Sequence, residues 1–243
     1  MVTVSLRPAT SFECQLGGGA TISRATSRIA NRGRTAGLAK LAGAGIVVYF
    51  LIDLALAFLR PGLSLIHRAE SDYGVGPFSW LMDLNFLIRC ALSLAAAAAI
   101  ARHSRGSGRV RIGVSFLAAW GIGSGILAFF PDNPPGTAVT ASGAIHLSVA
   151  GLAFLCAAIG TIVLSIQFRH LPPLRPIASG LLGISVVAVV PLLLLGSTHF
   201  RVTSPAGLYE RLFLALELIW ILVVSVWLAA IASAPSPAAA KPT

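Results

Sequence analysis

Six stretches of about 20 or more mostly apolar residues recur along the chain, at roughly 36–59, 78–101, 111–130, 142–166, 176–198 and 208–232. Each is long enough, at about 1.5 Å per helical residue, to cross the roughly 30 Å hydrocarbon core of a bilayer. Hydrocarbon offers peptide groups no water, so a run of this kind crosses as a helix that satisfies its own backbone. The short alternating segments of a membrane β-barrel are absent from the sequence. The reading is therefore all-α: a polytopic integral membrane protein built as a six-transmembrane-helix bundle.

Composition excludes the main alternatives. With 56% hydrophobic and 11% charged residues among 243, and a mean hydropathy of +0.85, the chain does not read as a soluble globular domain. Its net charge of +10 invites a nucleic-acid reading. The basic residues flank apolar runs instead of forming a basic face, so the expected partner is the lipid bilayer and not nucleic acid. Membrane-protein partners are left open. Cys14, Cys90 and Cys156 have no disulfide or metal-type spacing, and the last two lie inside apolar runs, where they read as small hydrophobes.

Residues 1–34 carry Arg7, Arg24, Arg28, Arg32 and Arg34 among Ser, Thr and Gly, and are expected to form a disordered basic tail. The first apolar run starts too late and runs too long for a cleavable signal peptide. Residues 35–232 form the membrane domain, and 233–243 are a Pro/Ala tail expected to lack structure. Thirteen Lys and Arg fall in the two tails, at Lys40 just inside the first span, and in the 102–111 and 167–175 connections; four fall in the alternate connections. The positive-inside rule then places both termini in the cytoplasm, N-in and C-in, of what is expected to be a bacterial plasma membrane.

That orientation sorts the acids. Of the eight, Glu13 alone is cytoplasmic; Asp53, Glu70, Asp72, Asp83, Asp132, Glu210 and Glu217 fall at the outer end or in the outer half and middle of a span. Asp53, Asp83, Arg89 and Glu217 lie within apolar windows, where an ionisable group costs at least about 2.5 kcal/mol and is functional by default. Arg89 and Glu217 sit at similar depth and are expected either to pair or to act as structural glue. Asp53 and Asp83 share a depth of roughly 8–9 Å below the outer boundary and either hold a proton or cation between them or bond separately, Asn85 being one partner. Gly121 and Gly125 form a GxxxG that suits close helix packing.

The stretch FFPDNPPGTAVTASGAIH, Phe129–His146, joins an acid, a Pro/Gly turn and a histidine. Asp132 and His146 are the candidate catalytic or ligand-polarising pair. Asp72, Tyr73, Glu210 and Arg211 are the candidate substrate-binding residues. His67, His146 and His199 are weak candidate metal ligands, since imidazole suits zinc but no tight ligand spacing joins them. The metal and any other cofactor are therefore unknown at this level.

Three blocks, SDYGVGPFSWLMDLNF (Ser71–Phe86), FFPDNPPGTAVTASGAIH (Phe129–His146) and GLYERLFLALELIW (Gly207–Trp220), together resemble the signature blocks of an uncharacterised membrane family, domain of unknown function 998. Asp72, Asp132, His146, Glu210 and Arg211 match its pattern. The resemblance covers about residues 38–232. It implies a six-helix integral membrane protein and no established activity. Three functions compete: an outward-facing polar site that binds or modifies a lipid or small molecule, a non-catalytic membrane assembly partner, and a proton- or cation-coupled transporter.

Overall fold

A computed structural model describes residues 14–104, 108–133, 137–198, 201 and 203–234. The described chain is helical, with six long helices: α1 (Cys14–Leu59), α2 (Ser79–His103), α3 (Gly108–Leu127), α4 (Ala141–Phe168), α5 (Arg175–Ser197) and α6 (Ala206–Ser233). A short 3-10 helix, Glu70–Gly74, sits in the long connection between α1 and α2. No strand occurs among the described residues. All six helices are long and apolar enough to cross a membrane.

The main departure from expectation is at the N-terminus. Residues 14–34, expected as a disordered tail, continue the first helix. Once a span is helical, adding residues to its end requires no new nucleus, so the helix extends over the residues ahead of it even though Gly17, Gly18 and Gly19 are poor helix formers. Tertiary contacts also hold this extension: Thr35 is buried, and the Arg32 guanidinium donates to the Ile231 carbonyl at 3.3 Å. Residues 1–13 and 235–243 lie outside the described residues.

Helix ends have local causes. Thr140 caps α4, its hydroxyl accepting from the Gly143 N–H at 3.1 Å. Arg102 and His103 close α2, where cations oppose the negative end of the helix dipole. Each helix packs against its neighbours in sequence, and α6 returns to α1 to close the ring. α6 also touches α2 and α4 across the middle. The membrane windows of α2 and α6 are 56% and 50% buried, those of α1 and α5 only 22% and 28%, so α2 and α6 form the centre of the bundle. Trp120, Trp220, Phe168 and Phe213 fill its interior.

Small residues set the spacing. A Cβ at Gly121 would lie 3.0 Å from the Ser93 Cβ, and one at Gly125 3.0 Å from the Cys90 sulfur. The GxxxG thus serves the α2–α3 contact within one chain. At one end of the bundle, α1, α3 and α5 finish and α2, α4 and α6 begin, and the connections 60–78 and 128–140 meet there. This acidic end carries the polar residues singled out from the sequence.

Candidate functional site at the acidic end

The last turns of α1 present Tyr49 and Asp53, four residues apart and so on one face of the helix. Tyr49 is fully buried. Beyond Leu59 the chain folds back over the bundle, and the Arg60 guanidinium draws the loop closed by donating to the Val75 carbonyl at 2.6 Å. The 3-10 helix then lowers Glu70 into the interior. Its carboxylate accepts the Tyr49 hydroxyl at 2.5 Å, and its backbone N–H donates to the Glu210 carboxylate at 2.8 Å. Glu70 and Glu210 are 2% and 6% exposed, so these bonds form away from water and hold the connection to both α1 and α6.

Arg211 completes the clasp. Its Nη1 donates to the carbonyls of Leu65 (3.0 Å), Arg68 (2.8 Å) and Gly207 (3.2 Å). The Leu208 N–H donates to the Ile66 carbonyl at 3.0 Å. Gly207 is where the loop and α6 come closest, and any side chain there would overlap the Arg68 carbonyl. Glu210 and Arg211, singled out as substrate-binding residues, thus have internal partners on the 60–78 connection.

Asp72 pairs with Arg68 at 3.0 Å. Burial pushes the Asp72 carboxyl above its ordinary range; Arg68 pulls it back and nearby Asp132 pushes it further up. Ser71 donates to Asp132 at 3.2 Å, and the Asn133 N–H holds the other Asp132 oxygen at 2.7 Å. The connection between α3 and α4 is in this way tied to the 3-10 helix. Asn133 also accepts from the Thr140 N–H at 2.8 Å, which shapes the turn ahead of α4.

His146 is 2% exposed. Its Nδ1 lies 2.7 Å from the Phe130 carbonyl, and its ring packs edge-on against Phe86. A carbonyl oxygen only accepts, so the contact assigns the proton to Nδ1 and leaves Nε2 an acceptor in the neutral ring. No hydrogen bond or ion pair joins it to Asp132: the sole ion pair among the described residues is Arg68–Asp72, and the Asp132 oxygens accept from Ser71 and Asn133. The exposed His67 directs Nδ1 at the Ser204 carbonyl, 3.2 Å away, and His199 lies outside the described residues. No group of three His, Cys, Asp or Glu side chains with metal-binding geometry occurs among the described residues.

The intramembrane residues are arranged differently from the pairings considered. Arg89, 2% exposed, donates to the Ser124 hydroxyl at 2.9 Å. Its guanidinium carbon stands 5.1 Å from the Phe86 ring centre and 5.9 Å from that of Tyr49, a cation–π arrangement. It makes no ion pair with Glu217. Asp53 has Glu70 and Arg211 as electrostatic neighbours, whereas none acts on Asp83 among the described residues.

The buried polar atoms at this end without an aligned hydrogen bond are one Asp53 carboxylate oxygen, the Tyr73 hydroxyl, Nε and Nη2 of Arg211, both amide atoms of Asn85, and Arg68 Nε, which has its ion pair with Asp72. The Tyr73 hydroxyl and the Arg211 guanidinium lie close enough to interact with each other. Tyr73 is 1% exposed, lies under the Arg211 guanidinium at 5.6 Å, and has Asp53 among its electrostatic neighbours. Burial raises its hydroxyl above the ordinary phenol value, with Arg211 acting against it. Tyr49 is the residue that sequence reasoning passed over. Its signal was available: a polar-tipped aromatic one turn from Asp53 inside an apolar window.

A family model described as protein of unknown function (DUF998) matches residues 43–227. Nothing among the curated proteins or the solved structures matches the chain.

Proposed function

The chain belongs to the DUF998 family, and on that premise we propose that it is a bacterial plasma-membrane protein whose acidic end faces outward and binds a small polar molecule or a lipid headgroup. The carrying observation is the convergence of Asp53, Tyr73 and Arg211, which interact with one another and still leave buried polar atoms without aligned hydrogen bonds. Folded proteins leave few such groups, because each costs about 1–3 kcal/mol. Here they combine donors, a hydroxyl and a carboxylate oxygen from three elements. A ligand presenting an acceptor to Arg211 and a donor to Asp53 satisfies them together.

Binding is placed ahead of chemical modification, because Asp132 and His146 do not form an acid/base pair. Orientation rests on the imbalance of Lys and Arg between the two ends.

The test is mass spectrometry of molecules retained by the purified protein in lipid nanodiscs, compared with Asp53→Asn. We expect one species enriched over bulk lipid, and reduced about tenfold or more in the variant, a change of about 1.4 kcal/mol in affinity. Identical profiles, with the variant as stable as the parent, would sink the binding reading and leave the polar cluster as a clasp for the 60–78 connection.

A further inference from the structure

Glu217 is used by none of the contacts at the acidic end. It follows Glu210 by seven residues on the same buried face of α6, about 10.5 Å further along the axis. Phe213 and Leu214 lie between them, both fully buried. Glu217 itself is 1% exposed, and one of its carboxyl oxygens has no hydrogen-bond partner.

The other oxygen lies 3.4 Å from the Thr161 hydroxyl of α4. That hydroxyl has a single hydrogen and a closer acceptor, the Ala157 carbonyl one helical turn back at 3.1 Å. A hydroxyl committed to its own helix leaves only oxygen lone pairs for a neighbour. Two oxygens facing each other are stabilised only when one of them carries a hydrogen between them, and here the available carrier is Glu217.

Among the described residues no cation offers an alternative. The other ionisable side chains buried among the helices face other neighbours: Asp53 of α1 has Glu70 and Arg211. Tyr49 of α1 bonds Glu70, and Arg89 of α2 bonds Ser124. His146 of α4 bonds the Phe130 carbonyl, and Glu210 of α6 takes the Glu70 N–H. α5 buries no ionisable side chain. An unpaired carboxylate this far from water is costly, and the neutral acid avoids that cost.

We propose that Glu217 is a proton-binding site at the middle of the bundle, held as the carboxylic acid with its O–H donated to the Thr161 Oγ1. The ligand of this site is a proton, and the site stands whether or not the acidic end binds a polar molecule. Ionising it leaves an anion that the surrounding helices, as packed here, do not compensate.

Infrared spectroscopy of the full chain in lipid vesicles tests this, recording the C=O stretch of protonated carboxyl groups at neutral pH. The expected result is a band that disappears in Glu217→Gln and moves to higher frequency in Thr161→Val, where the acceptor is lost and the shape kept. A spectrum showing no acid band that depends on Glu217 overturns the proposal. Should Glu217→Gln not fold, Thr161→Val reads the same carbonyl, and the absence of any shifted acid band in it overturns the proposal equally.

Discussion

Asp72 shows how one side chain at the acidic end is set by opposing forces. Burial favours its neutral form, Arg68 at 3.0 Å favours the charged form, and Asp132 adds a second negative charge nearby. Burial wins, so the carboxyl in the folded chain takes up protons more readily than an exposed aspartate, whose ordinary value is about 4. The sign of the linkage follows. Where the folded value lies above the unfolded one, stability is full below the unfolded value and is lost as pH rises through the folded value. Thermal unfolding in detergent, followed upward from about pH 4, should therefore show a falling contribution that Asp72→Asn flattens. An unchanged pH profile in that variant would show that Asp72 is not the titrating group. Arg68→Gln should push the same window to higher pH, since it removes the cation that holds the carboxyl down.

At the scale of elements, the 60–78 connection behaves as a seventh packed unit. Arg60 closes it on itself, Glu70 anchors it below, Arg211 holds its carbonyls from the side, and Ser71 reaches across to the α3–α4 turn. Gly207 decides how near α6 approaches. Gly207→Ala places a methyl group on the Arg68 carbonyl and should cost about 1–3 kcal/mol through forced separation. Gly151→Ala on α4 is the matched control, since nothing lies within 4 Å of a Cβ there; helix propensity alone favours it by up to about 1 kcal/mol. Comparable unfolding temperatures for the two variants would contradict the close approach. The blocks that resemble a family signature, 71–86, 129–146 and 207–220, thus meet in one clasp: Ser71 bonds Asp132, and Glu70, the residue just ahead of the first block, bonds Glu210 of the third.

For the molecule as a whole, orientation is the property that controls which compartment meets the acidic end. In a background with Cys14, Cys90 and Cys156 replaced, His67→Cys should react with a membrane-impermeant maleimide on intact cells. Arg169→Cys, exposed at the opposite end, should react only after permeabilisation. The reverse pattern would invert the topology and with it the proposed outward site. What the sequence determined by itself was element identity and depth. Apolar windows of about 20 residues admit one backbone solution in hydrocarbon, and a rise of 1.5 Å per residue converts position into height. That sufficed to bring Asp53, Asp72, Asp132, Glu210 and His146 to one end. It could not assign their partners, because depth says nothing of azimuth. Which way Asp53, Asp83, Arg89 and Glu217 point depends on how each helix rotates to fit its neighbours. That rotation is decided by contacts such as Gly121 on Ser93 and Phe86 on His146, between residues far apart in the chain. Tertiary packing therefore turned Arg89 to Ser124 in place of Glu217, gave Asp53 Glu70 and Arg211 as its charged neighbours, and turned His146 to a backbone carbonyl in place of Asp132.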